Sequence, residues 1–202
     1  MSDFHRRLEE QIPRLRRYAR ALTRDASRAD DLVQDTLLRA LSKQHLWQEG
    51  TNLRAWLFTL MHNQHVNDVR RSNRDGGNVD VTEMASVLVA NTDPTASRKL
   101  RELERGLGEL PMEQREAILL VGLEGLRYDE AAAIAGVPIG TIRSRLSRGR
   151  EALRSILGID EAEAVPAQEG QRGSPSYRAS ARVRIMPVGK SEAPVEAARE
   201  AA

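Results

Sequence analysis

The chain has 202 residues, with 31 Lys plus Arg against 29 Asp plus Glu, no Cys, and only seven aromatic side chains. The missing Cys excludes a disulfide framework, a thiolate metal site and a cysteine nucleophile, while the charged start MSDFHRRLEE and short apolar runs fit neither a secretory signal nor a spanning helix. A soluble, cytoplasmic protein is expected, with small cores of Leu, Ile, Val and Ala.

The net charge of +2 conceals an uneven distribution. Residues 1–75 carry 14 basic and 10 acidic side chains, 76–97 none and three, 98–157 eleven and nine, and 158–202 six and seven. Two mildly basic blocks separated by an acidic joint point to two modules, each able to meet a polyanion.

Leu8, Ile12, Leu15, Ala19 and Leu22 recur at the spacing of one helix face and predict a first amphipathic helix. Ser27 with Asp30 three residues later resembles a capping box, and Leu32, Val33, Thr36, Leu37, Ala40 and Leu41 give a second stripe. After Trp47 a short loop leads to Asn52, a good cap for a third helix whose apolar character ends near Met61 and whose second half is polar and basic. Residues 76–97, with Gly76, Gly77 and Pro94 as breakers, read as a linker. Helical pattern resumes at Leu100, Leu103, Leu107 and Leu110, stops at Pro111, and restarts in EQREAILLVGLEG, where Gly125 is placed as a C-terminal cap. Residues 159–202, rich in Ala, Glu, Pro, Gly and Ser, are expected to be a disordered tail.

The strongest signal is DEAAAIAGVPIGTIRSRLSRGREALRSIL, which has the pattern of a helix-turn-helix. A short Ala-rich helix over 130–135 packs closely, Gly136 supplies a positive φ, Val137 plugs the corner, and Pro138 opens the next helix. In that helix Ile142, Leu146, Leu153 and Leu157 share a face. Thr141, Ser144, Ser147 and Arg148 point away, with Arg143, Arg150 and Arg154 on one flank and Arg145 on the other. Hydroxyls and guanidiniums are the groups that bind base edges and phosphates, and Glu151 alone opposes five Arg. The bland alternative, a merely solvated surface helix, leaves the Gly-Val-Pro turn unexplained.

Here a family resemblance enters. YDEAAAIAGVPIGTIRSRLSRGREALR resembles region 4 of extracytoplasmic-function (ECF) sigma factors, and DDLVQDTLLRAL followed by NLRAWLFTLMHNQHVNDVRR resembles their region 2. The resemblance implies an all-α fold of two small helical domains. These are region 2 at 1–75, which clamps polymerase and binds the minus-10 element, and region 4 at 98–158, which binds the minus-35 element; the linker joins them and the tail follows. It implies a non-enzymatic, cofactor-free subunit that directs core RNA polymerase to promoters of a stress or signal regulon and helps open them. The partners it implies are the β′ clamp coiled coil and β flap of the polymerase, promoter DNA and an anti-sigma factor, with no membrane.

Asp31, Leu32, Gln34, Asp35, Leu38 and Arg39 form an acidic and apolar strip that the resemblance places on the polymerase; without it, a solvated acidic face is the simpler reading. Gln48, Glu49, Thr51 and Asn52, with Asn63, Asn67, Arg70, Arg71 and Arg74, make the minus-10 candidate; amides and guanidiniums along one helix suit DNA, and the resemblance gives the loop an extruded base. Asn67 stands where the family commonly has Asp. Thr141, Arg143, Ser144, Arg145, Ser147, Arg148 and Arg150 make the minus-35 candidate. Trp47 and Trp56 flank the loop, Trp56 as core beside Leu57 and Leu60 and Trp47 as a partly buried wedge. His62 and His65 are too sparse in ligands for a metal site, and none is expected. Residues Gly122 to Leu126 join the Asp31 strip as candidate anti-sigma contacts. The competing functions are a sigma-like decoy that sequesters an anti-sigma factor, and an ordinary helix-turn-helix regulator, which leaves the first 75 residues unexplained.

Overall fold

In the computed structural model, the described residues are 3–48, 50–74 and 94–159, with Pro94 and Ala96 described by their backbone alone. All fall within the compact unit Met1–Ala164; Val165–Ala202 lie outside them, as do the expected disordered tail beyond Ile159 and most of the expected linker. Among the described residues every regular element is helical.

The first three helices form one bundle. α1 (Asp3–Thr23) buries Phe4, Leu8, Leu15, Tyr18, Ala19 and Leu22 and leaves its Arg-rich face outward. α2 (Ala26–Ser42) is capped two residues before Ser27. Asp25 is the cap, accepting from the Arg28 N–H at 2.9 Å, so Ser27 lies inside the helix. A carboxylate at the cap meets both an orphan N–H and the positive helix terminus, which a neutral serine two residues on cannot do. α3 (Leu53–Arg74) begins as expected at Asn52, whose Oδ1 accepts from the Ala55 N–H at 3.1 Å. Leu53, Leu57, Phe58 and Met61 are buried, and Tyr18 of α1 meets Phe58 edge to face at 4.8 Å. Trp47 and Trp56 are both half-buried against Phe4, at 5.3 and 6.5 Å between ring centroids.

The second bundle is built on α4 (Pro94–Glu109), α5 (Met112–Ile118), α6 (Tyr128–Ala135) and α7 (Ile139–Leu157). Pro94 was expected in the linker but occupies the first position of α4, where its missing N–H costs nothing. α5 continues into a wider π-type turn, Leu119–Leu123, and Gly125 at φ 63° closes it as the sequence indicates. Arg115 fastens the elbow between α4 and α5. It donates to the carbonyls of Leu107, Gly108 and Leu110 at the end of α4, and to Leu22 O of α1. Burial lowers its pKa to about 10.

The corner between α6 and α7 follows the expected chemistry with shifted bounds. Gly136 is left-handed (φ 63°, ψ 32°) and the Val137 N–H reaches Ala132 O at 3.1 Å. α6 starts at Tyr128, two residues before the expected helix, because the Glu130 carboxylate turns back to accept the Arg127 N–H at 3.0 Å. Pro138 is extended (ψ 149°) and precedes the first helical residue. α7 crosses α5 closely: a Cβ at Gly149 would lie 3.0 Å from Ile118 Cδ1 and 3.3 Å from Gln114 O.

Candidate polymerase and nucleic-acid interfaces

α7 has its Ile142 and Leu146 face buried, so its opposite face is fixed by the helix period. Arg143, Ser144, Ser147 and Arg148 are exposed, and Thr141, Arg145 and Arg150 half-buried. Ser144 Oγ donates to Thr141 O, and Arg148 Nε to Ser144 O at 3.3 Å, which lays that guanidinium along the helix beside the hydroxyls. Arg143 stacks over Tyr128 of α6 at 5.8 Å, tying the two helices of the motif by a cation–π contact. Among the described residues none of the α7 arginines forms an ion pair. Five cations on one helix, none held in an ion pair and opposed by Glu151 alone, are available to phosphates.

On α2, Asp31, Gln34, Asp35, Leu38 and Arg39 are all exposed, with Leu38 at 65% and Leu41 beyond it at 41%. Leu32 is different: at 4% exposed it belongs to the core and supports the strip from behind. The helix period dictates this, since Leu32 shares the inward face with Ala29, Val33, Thr36 and Ala40. Asp35 also has a partner the sequence did not disclose, the buried Gln64 of α3, whose Nε2 donates to it at 3.1 Å and to Asp68 at 3.0 Å. Burial is the main influence raising the Asp68 pKa, and the Asp35 charge adds to it.

The loop before α3 contains Gly50 at φ 87° and is closed by Thr51, whose hydroxyl donates to Gln48 O at 2.7 Å; Glu49 lies outside the described residues. Asn63, Asn67, Arg70, Arg71 and Arg74 are exposed along the polar end of α3, as their period requires. Asn52 is doubly engaged, because its Nδ2 donates to Glu130 of α6 at 2.9 Å while its Oδ1 caps α3.

That contact is part of a polar seam between the bundles. Glu124, its side chain fully buried, accepts from Arg17 at 2.8 Å, has Arg14 at 3.8 Å, and its backbone carbonyl takes Arg54 at 3.1 Å. Residues 122–126, expected as an outward contact, therefore include a side chain turned inward onto α1; Leu126 is buried too and Gly122 is exposed. Glu116, 2% exposed, accepts from Tyr18 Oη at 3.3 Å and lies 2.5 Å from His62 Nδ1. Burial, and then the Glu116 charge, hold the Tyr18 phenol well above its ordinary pKa. His65 is buried one turn on and its pKa is lowered to about 4, chiefly by burial. A signal for this seam was present: Glu116 and Glu124 bracket an apolar run, where an acid is tolerated only with a partner.

Two family models match, in chain order: the Sigma2 domain of PhyR over residues 8–62 and Sigma-70, region 4 over residues 100–153. An ECF RNA polymerase sigma factor, EcfG, from Rhodopseudomonas palustris is 44% identical over 152 residues, spanning 75% of this chain and 83% of that one. The solved structure of the sigma factor RpoE with the anti-sigma factor NepR from Bartonella quintana aligns with a TM-score of 0.68 at 39% identity, covering 79% of this chain and 99% of that one. CnrH in complex with the cytosolic domain of CnrY aligns at 0.56 and 25% identity, covering 78% and 88%. With both bundles matched in order, and a relative of this identity covered over most of its length, the chain belongs to the ECF family of RNA polymerase sigma factors.

Proposed function

We propose that this sigma factor divides its work by surface. The α7 face of Arg143, Ser144, Ser147 and Arg148 binds the minus-35 element, the polar end of α3 with the loop at 48–52 binds the minus-10 element, and the exposed Asp31, Gln34, Asp35 and Leu38 strip of α2 docks on core polymerase. The chain supplies recognition, and the polymerase supplies all bond-making chemistry. The observation that carries this reading is α7: a helix-turn-helix whose outward face presents hydroxyls and arginines that form no ion pair among the described residues. Phosphate contacts from the flanking arginines set position, and the central residues discriminate bases.

An anti-sigma partner is part of the same proposal. It is supported by the likeness to RpoE, solved with the anti-sigma factor NepR, and by the exposed Leu38 and Leu41 on the same helix as Asp31, an apolar and acidic surface suited to capture. Run-off transcription on genomic fragments with purified core polymerase, with and without the chain, tests the reading. Protein-dependent start sites sharing two spaced elements are expected. Their absence across a broad promoter sample overturns promoter recognition and favours a decoy that acts only on the anti-sigma factor.

A further inference from the structure

His62 of α3 and Glu116 of α5 meet where the two bundles touch, with His62 Nδ1 2.5 Å from Glu116 Oε1. Their side chains are 14% and 3% exposed, so the pair lies inside the seam. Of the four His in the chain, His5 and His45 are exposed, and His62 and His65 stand together at this contact.

A buried carboxylate needs hydrogen-bond donors and a counter-charge, and the elements around Glu116 offer few. From α1 it receives the neutral Tyr18 hydroxyl at 3.3 Å. From α3, His65 also faces it, but burial lowers the pKa of that imidazole to about 4, so it is neutral at pH 6 and above. Arg115, its neighbour on α5, sends its guanidinium to the carbonyls of Leu22, Leu107, Gly108 and Leu110 instead. Glu124 acts on the same Tyr18 as a further negative charge, and Arg14 and Arg17 are its cations. Among the described residues His62 is therefore the one cation Glu116 has in contact, and imidazole is the side chain that changes charge between pH 5 and 8.

With His62 protonated, the pair is neutral as a whole. With His62 neutral, the pair keeps the carboxylate's charge, a net negative charge held away from water that separation of the bundles relieves. We propose that His62 and Glu116 form a proton-operated latch between the bundles, closed while the imidazole carries its proton and released when it loses it. Closure also holds Asn52 on Glu130 of α6 at 2.9 Å and Arg54 on the Glu124 carbonyl at 3.1 Å. Loss of the proton thus frees the loop at 48–52 from α6, and acidification retains it. That consequence for promoters rests on the minus-10 reading above, whereas the latch is tested without DNA.

Because the chain has no Cys, spin labels at Glu9→Cys on α1 and Ser155→Cys on α7, both exposed, report the distance between the bundles in the full chain by pulsed electron paramagnetic resonance. The ratio of long- to short-distance populations is expected to rise about threefold or more from pH 6 to pH 8, with a ceiling of about tenfold per pH unit for one coupled proton. His62→Gln keeps a neutral donor that does not titrate, and is expected to show the parent's pH 8 ratio at both pH values. Glu116→Gln removes the charge that opens the seam, and is expected to show the parent's pH 6 ratio at both. A merely structural contact would move both variants towards the open population, whereas the latch moves them in opposite directions. His65→Gln is expected to leave the response between pH 6 and 8 in place. A parent ratio that does not change over this range, a response that survives His62→Gln, or opening in both variants overturns the proposal. Hydrogen exchange at the α5–α7 crossing around Gly149 checks that the second bundle stays folded; should Glu116→Gln lose protection there, the parent's response and its loss in His62→Gln decide.

Discussion

Gly136 sets the corner of the helix-turn-helix with one torsion. A Cβ there meets nothing within 4 Å, so the cost of a side chain is purely conformational at φ 63°. Gly136→Ala is expected to lower unfolding free energy by about 1 to 2 kcal/mol, measured in urea. A smaller loss would mean the turn relaxes away from the left-handed region. His65 gives a second test at this scale. Its pKa is lowered to about 4 by burial first, with His62 and Arg115 adding and Glu116 opposing. Above pH 6.5 the imidazole is neutral whether folded or unfolded; as pH falls towards 4 only the unfolded chain takes up the proton, and stability is lost. The full loss amounts to about 3 kcal/mol. His65→Gln is therefore expected to flatten the fall in stability between pH 7 and 4.5 relative to the parent, and superimposable pH profiles would show that His65 protonates freely in the fold.

Elements were legible where one period or one turn residue decides them. The stripe of α1, the Asn52 cap and the Gly-Val turn are local, and the structure keeps them. Boundaries shifted where a side chain chose between adjacent backbone groups, as Asp25 takes the cap from Ser27 and Glu130 extends α6 to Tyr128. The exposed face of α7 was legible because its apolar residues fix its orientation, and it carries the prediction for this scale. Arg148→Ala removes a guanidinium aligned along Ser144 and is expected to weaken binding to a cognate minus-35 site by about 1 to 3 kcal/mol while affecting a scrambled site far less. Equal loss on both sites would make Arg148 a phosphate contact. The pairing of Gln64 with Asp35 was not legible, because it joins residues 29 apart on two helices whose contact no periodicity announces.

At the scale of the whole molecule, the two basic modules read from charge are joined by a seam of buried acids and part-exposed arginines. Such a seam differs from an apolar core, since a buried carboxylate is stable only while its hydrogen-bond donors or cations are present. Glu124 shows this most sharply: its side chain is fully buried, while its partners Arg14 and Arg17 remain 48% and 37% exposed. Removing its charge leaves those cations solvated, so the loss falls well short of that for a fully buried pair. Glu124→Gln is expected to cost about 1 to 3 kcal/mol and to speed amide hydrogen exchange across residues 119–126 and the facing part of α1, with exchange at the α5–α7 crossing around Gly149 little changed. Glu151→Gln, on the exposed side of α7, is the control and is expected to change neither. If Glu124→Gln accelerates exchange equally at the Gly149 crossing, the seam and the second bundle open as one cooperative unit, and the carboxylate holds the whole fold rather than the contact between its halves.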